Sequence, residues 1–123
     1  MTLDRIQIGN LTAGVAIVLV FSCVAFAHAI LVKSSPEANA IVAGPNVTLA
    51  LIFNSRVDQA RSSLVVEASD HLDSRVAVKI DPSAPQKLRG NVSGLAPGAY
   101  KLHWQVLAVD GHITRGELPF RVK

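Results

Sequence analysis

Hydrophobic and polar residues alternate along most of the chain after residue 46, in short runs separated by turns. The run Val47–Phe53 has apolar residues at every second position and is rich in β-branched side chains, which is typical of a strand with one buried face. Similar runs follow at Ser63–Ala68, Arg75–Ile80, Gln86–Val92, Tyr100–Val109 and Glu117–Val122. Gly, Pro, Asn, Asp and Ser mark the turns between them. Because no segment shows a sustained helical period, the pattern predicts an all-β Greek-key sandwich or barrel of about seven strands.

The strand predicted at Tyr100–Val109 has one strongly apolar face. Tyr100, Leu102, Trp104, Val106 and Ala108 share one parity and are expected to face the core. We interpret Trp104 as the central core aromatic residue. His103 lies on the opposite parity and is expected to be a surface histidine with its own hydrogen-bond partners, rather than a metal ligand.

A long apolar run, Leu11–Phe26, precedes this domain and ends in Ala25-Phe26-Ala27, the small-x-small pattern of a secretory cleavage site. We therefore predict a signal peptide over residues 1–27 and a mature domain over residues 28–123, located in the periplasm or otherwise exported. An uncleaved membrane anchor is the main alternative, but it needs about 20 apolar residues. Lipoprotein processing before Cys23 is a second alternative, although the bulky Phe21 is atypical of a lipobox.

Removal of the predicted leader changes the chemistry of the remaining chain. It takes away Met1 and Cys23, which are the single methionine and the single cysteine, so the mature chain has no soft sulfur ligand and no disulfide. The formal charge stays at +3 because the leader contains one Asp and one Arg. The charges are scattered and of both signs, which does not suggest a nucleic-acid surface. The length fits one domain with a single core.

Cleavage after Ala27 would make His28 the first residue, with a free α-amine and an imidazole able to chelate one metal ion as a histidine brace. Near the other end of the chain stands Asp110-Gly111-His112. Residues two apart on an extended chain project to the same side, so these two side chains could converge. The resulting nitrogen and oxygen donors suit Cu(II), whereas Zn(II), the competing metal, prefers a tetrahedron.

Each part of this metal-site hypothesis has a simpler interpretation. Asp-Gly is a common turn, and His28 could follow the cleavage site by chance. His71 is interpreted as a solvated loop residue. The conceivable additional metal ligands are Glu37, Glu67, His103 and Glu117. The weight of the hypothesis therefore comes from the coincidence of His28 with the Asp-Gly-His motif.

The residues His28-Ala29-Ile30-Leu31-Val32-Lys33-Ser34-Ser35-Pro36, Val47–Phe53, Leu95–Tyr100, Trp104 and Asp110-Gly111-His112, followed by Gly116 and Phe120, resemble the CopC/PcoC copper-resistance family. The resemblance covers essentially the whole mature chain. It implies an immunoglobulin-like or cupredoxin-like β domain in the periplasm, with His28, Asp110 and His112 as Cu(II) ligands. It also implies that copper is held for, or passed to, a membrane protein of the CopD type.

The sequence departs from part of that family in one respect. Some members carry a methionine-rich loop that holds Cu(I), and the mature chain has no methionine. We therefore expect a Cu(II)-only member, monomeric and without stable membrane insertion after cleavage. Two other classes of protein are alternatives: a copper-dependent oxidative enzyme with a histidine brace, which would need an aromatic substrate surface, and a metal-free β-sandwich interaction module.

Overall fold

A computed structural model describes residues 28–123, so the predicted signal peptide lies outside the described residues. The described chain forms eight strands and no helix. They are β1 (Leu31–Ser35), β2 (Ala40–Val42), β3 (Val47–Phe53), β4 (Val57–Ala68), β5 (Asp73–Val76), β6 (Lys87–Val92), β7 (Gly98–Ala108) and β8 (Ile113–Val122). Within residues 28–123, no helix is available that is long and apolar enough to cross a membrane.

The strands form two sheets that pack face to face. One sheet has the order β1-β3-β6 and the other the order β2-β8-β7-β4-β5. All neighbouring strands are antiparallel except β2 and β8, which are parallel. The chain crosses between the sheets after β1, β2, β3, β5 and β6, as expected of an immunoglobulin-like Greek-key sandwich. The predicted all-β fold class is confirmed.

The core lies between the two inner faces and is built from alternate residues of each strand. On β7, Leu102, Trp104, Val106 and Ala108 are buried, as their parity predicted. The rings of Trp104 and Phe53 meet edge to face, with centroids 5.3 Å apart. Trp104 lies directly over Gly116 of β8, where an added Cβ would collide with the indole ring. The single tryptophan is therefore a core residue.

Strand bounds differ from the sequence expectations where the alternation is weak. The strand expected at Ser63–Ala68 begins earlier, at Val57, because β4 continues through a register irregularity between Asp58 and Ser63. The strand expected at Arg75–Ile80 ends at Val76. The alternation gave no sign of β1 or β2, because most of their side chains are exposed or half-exposed and leave no clean apolar parity.

The β7–β8 hairpin determines the position of the candidate site. Its strands pair continuously from Gly98 with Val122 to Leu107 with Ile113. Residues 109–112 form the connection between them, at the end of the sandwich where the described chain begins. The Asp-Gly-His motif is thus the tip of a long, rigid hairpin.

Candidate metal centre

The hairpin tip is a tight turn held by two backbone hydrogen bonds. The amide of Ala108 donates to the carbonyl of His112 at 2.8 Å, and the amide of Gly111 donates to the carbonyl of Ala108 at 2.9 Å. Gly111 has a φ of +89°, which glycine adopts without the steric cost that a side chain would add. The assumption of an extended backbone across the motif was wrong, because its residues reverse the chain. The turn nevertheless brings the two functional side chains together.

Asp110 and His112 make a double contact. Asp110 Oδ1 accepts a hydrogen bond from the backbone amide of His112 at 3.0 Å, and Asp110 Oδ2 lies 2.9 Å from His112 Nδ1. These bonds to His112 lower the pKa of the Asp110 carboxyl below its ordinary value, and the positive charge of protonated His112 and His28 adds to the effect. The carboxylate therefore stays ionised and fixes the orientation of the imidazole, as acidic partners do for metal-binding histidines.

His28 lies against His112 although the two residues come from opposite ends of the described chain. Their ring centroids are 5.1 Å apart, with the planes inclined by 60°. The next residue, Ala29, is completely buried, so the backbone enters the core immediately after His28. Two imidazoles and one carboxylate are thereby gathered at one end of the sandwich.

The side chains alone do not complete a metal site. Within residues 28–123, no three His, Cys, Asp or Glu side chains are grouped so that they could hold an ion. A further donor is therefore needed beside the two imidazoles, and the α-amine of a chain that begins at His28 would supply it. Nitrogen and oxygen donors of this kind match the preferences of Cu(II).

The surroundings of the site are open and partly apolar. The side chains of His112 and Asp110 are 53% and 25% exposed. Val109 and Ile113, which flank the motif, are also exposed. Among the Phe, Tyr and Trp residues of the described chain, Phe53, Trp104 and Phe120 are buried and Tyr100 is half-buried, so these residues offer no flat aromatic surface beside the site.

The other two histidines lie in a separate cluster. His103 Nε2 is 2.6 Å from Glu67 Oε1, and His71 Nδ1 is 3.0 Å from Glu67 Oε2. Glu117 Oε1 is 3.8 Å from His103 Nδ1. His103 is thus the partnered surface histidine that its parity predicted, and His71 is an exposed turn residue.

This cluster is remote from the hairpin tip. His103 lies five residues before the end of β7, a separation on the order of 15 Å at about 3.3 Å per residue. Glu67 and Glu117 face it from the neighbouring strands, while Glu37 lies in the turn beyond β1. None of these four conceivable additional ligands is therefore at the Asp110–His112 pair. A cavity of about 500 Å³, lined in part by His71 and Tyr100, opens at the far end of β7.

The fold and the site define a small β-sandwich whose hairpin tip carries an imidazole and a carboxylate beside a second imidazole. The model of the CopC domain family matches residues 31–123, and the chain belongs to that family. The recognition made from the sequence is confirmed.

Individual relatives and solved structures agree with this assignment. The chain is 35% identical over 109 residues to copper resistance protein C of Xanthomonas campestris pv. juglandis, covering 83% of this chain and 85% of that protein. Its fold resembles CopC from Methylosinus trichosporium OB3b with a TM-score of 0.71 and 33% identity, covering 78% of this chain and 94% of that one.

The structure of PcoC, a methionine-rich copper resistance protein from Escherichia coli, is also similar. It gives a TM-score of 0.64 at 28% identity, covering 79% of this chain and all of that one. The copper transport protein CutJ of Bacillus subtilis is 30% identical over 102 residues, which are 79% of this chain and 18% of CutJ. A domain of this kind therefore also occurs as a small part of a much larger protein.

Proposed function

We propose that this protein is a periplasmic Cu(II)-binding protein of copper homeostasis or resistance, which holds or delivers Cu(II). The ion is bound by the α-amine and imidazole of His28, freed when residues 1–27 are removed, and by the imidazole of His112. Asp110 contributes an oxygen or orients His112. Membership of the CopC domain family and the copper-related names of the relatives support this assignment.

The observation that carries the proposal is the approach of His28 to His112, with ring centroids 5.1 Å apart. Nothing in the general packing of a β-sandwich requires two histidines to meet at a solvent-exposed end. Asp110, held ionised by its bonds to His112, adds the negative charge that offsets a divalent cation. The role proposed is binding rather than catalysis, and a CopD-type membrane protein is the proposed recipient or source of the copper.

The decisive experiment compares two chains with identical side chains at the site. One begins at His28 with a free α-amine, and in the other that amine is acetylated. If the α-amine is a ligand, acetylation weakens Cu(II) binding by orders of magnitude in a competition titration. Equal affinities would rule out the brace.

Substitutions at the hairpin tip test the other donors. His112→Ala removes a nitrogen ligand and is expected to weaken Cu(II) binding more than Asp110→Ala. The carboxylate of Asp110 is the weaker donor in this proposal, because it already contacts the imidazole of His112. His71→Ala is the matched control, since that histidine is exposed in a different part of the described chain. Loss of affinity in His71→Ala equal to that in His112→Ala would contradict the assignment.

A further inference from the structure

The backbone just after His28 is held by one residue, through its side chain and its own backbone amide. Asn54, which directly follows β3, accepts a hydrogen bond on Oδ1 from the amide of Ile30 at 2.8 Å. The amide of Asn54 donates in turn to the carbonyl of Ile30 at 3.0 Å. Both polar backbone groups of Ile30 are thus held by one residue.

This contact extends the sheet beyond its last regular pair. The ladder between β1 and β3 ends with Leu31 opposite Phe53, and the β1 side has a bulge between Leu31 and Lys33. One step further, a backbone acceptor is replaced by the side-chain oxygen of Asn54. An asparagine amide carries the same acceptor as a peptide carbonyl, so it closes the ladder where regular pairing stops.

Ala29 provides the second fixed point. It is completely buried, while Ile30 beside it is 60% exposed and its amide is bonded to Asn54. Because Ala29 and Ile30 are held in this way, the backbone at His28 has little conformational freedom. His28 is therefore positioned next to His112 by a short, anchored segment.

We propose that Asn54 is a positioning residue for the metal centre, which holds the Ala29–Ile30 segment so that His28 is in place before the ion arrives. The inference rests on the proposed function and deepens it. Preorganising a ligand improves affinity because the ordering entropy is not lost again on binding. Asn54 acts through the Ile30 backbone and need not contact the ion.

The test uses the chain of residues 28–123, which contains all eight strands and the whole of the described core. Asn54→Ala removes the acceptor, Asn54→Asp retains it, and Asn91→Ala, an exposed asparagine on β6, is the matched control. Loss of a single exposed hydrogen bond predicts a decrease in Cu(II) affinity of about threefold to tenfold for Asn54→Ala. Asn54→Asp and Asn91→Ala are expected to bind at least nearly as tightly as wild type.

Two readouts separate positioning from a general loss of stability. Amide exchange in the copper-free protein should accelerate at Ile30 in Asn54→Ala and return towards wild type in Asn54→Asp, with the β7–β8 amides unchanged. The Cu(II) electron paramagnetic resonance spectrum of Asn54→Ala should show a broadened or second species. Equal affinity, equal Ile30 exchange or an unchanged spectrum in Asn54→Ala would overturn the positioning role.

The outcome also distinguishes this inference from the proposed function. If the wild-type chain takes up one Cu(II) and Asn54→Ala does so equally well, only the positioning role is wrong. If the wild-type chain takes up no Cu(II), the proposed function is wrong, and the positioning role is rejected with it.

Discussion

Gly116 shows how a single missing side chain shapes the core. The indole of Trp104 occupies the space that a Cβ at residue 116 would need, and Trp104 also contacts Phe53 of the opposite sheet. A methyl group at this position has no room unless the tryptophan moves. The position of Trp104 between the two sheets therefore requires a residue without a side chain at position 116.

We expect Gly116→Ala to destabilise the protein by about 1 to 3 kcal/mol, the usual cost of overpacking a core. Because Trp104 is the only tryptophan, its fluorescence reports the displacement directly. Arg121→Ala, an exposed position on the same strand, is the control. A Gly116→Ala variant with an unchanged denaturation midpoint and emission spectrum would show that the indole yields without cost.

Gln59 is a residue whose importance the hydrophobic pattern could not reveal. It is a buried polar residue of β4. Its Nε2 lies within hydrogen-bond distance of the carbonyls of Asp81, Ala84 and Lys87, and its Oε1 accepts from the amide of Asp81. This one side chain thus adds to the backbone hydrogen bonds of the β5–β6 connection, in which the amides of Ala84 and Lys87 donate to the carbonyls of Asp81 and Ala84.

At the scale of strands and connections, Gln59→Leu should remove the acceptor of the Asp81 amide and one donor from nearby carbonyls. The expected cost is about 1 to 3 kcal/mol, the usual cost of leaving a buried polar group unsatisfied. Gln86→Leu, an exposed glutamine just before β6, is the matched control and should change stability little. Urea denaturation of both variants measures the difference in stability. Equal unfolding midpoints for the two variants would contradict this role of Gln59.

The cluster on the outer face of β4, β7 and β8 gives the fold an acid-sensitive component. Hydrogen bonds from His71 and then His103 lower the pKa of the Glu67 carboxyl below its ordinary value of 4.5. Ionised Glu67 therefore stabilises the folded state above that pH, and the contribution disappears as pH falls through the lowered pKa. Glu117 and Lys101 face the same cluster from β8 and β7.

Glu67→Gln should consequently lower the melting temperature at neutral pH. The gap to wild type should close as pH falls below about 4.5, because Glu67 then becomes protonated in both the unfolded and the folded state. Glu37→Gln, an exposed carboxylate in the turn after β1, serves as the control. A gap that persists undiminished to strongly acidic pH would show that ionisation of Glu67 is not its cause.

Features of the fold that arise from local alternation could be predicted from the sequence, whereas features that arise from contacts between distant segments could not. Alternation in β3 and β7 predicted strands and core because one buried face imposes a period of two. Edge strands β1 and β2 were missed because exposed strands leave no such period. Asp110 and His112 could be selected by chemistry, but their turn geometry and the Asn54 contact depend on packing between distant segments.

For the molecule as a whole, folding and copper uptake should be separate events. The core of residues 29–122 is formed mainly by apolar side chains of the two sheets, so the copper-free protein is expected to be folded. Under the proposed function, Cu(II) then adds stability by binding only the native state, by about 2.7 kcal/mol at a free concentration 100 times the Kd. An unfolded copper-free protein in a thermal melt would contradict this.

The copper-dependent part of that stability should diminish as pH falls. Protons compete with the ion for the amine and the imidazoles, so acidification weakens binding and reduces the rise in melting temperature. Melting curves with and without subsaturating Cu(II), recorded from mildly alkaline to acidic pH, measure the effect. A shift independent of pH would mean that amine and imidazole nitrogens are not the ligands.

The length of β8 determines where a tag, a dye or a surface linker can be attached without reaching the candidate metal centre. Its ten residues run from the hairpin tip to Val122, a distance on the order of 30 Å at about 3.3 Å per residue. A tag, dye or surface linker joined at Lys123 would therefore sit at the far end from His28 and leave it untouched. The same tag at the opposite terminus would cap the proposed amine donor, so biosensor formats for this protein should be anchored by the carboxyl end alone.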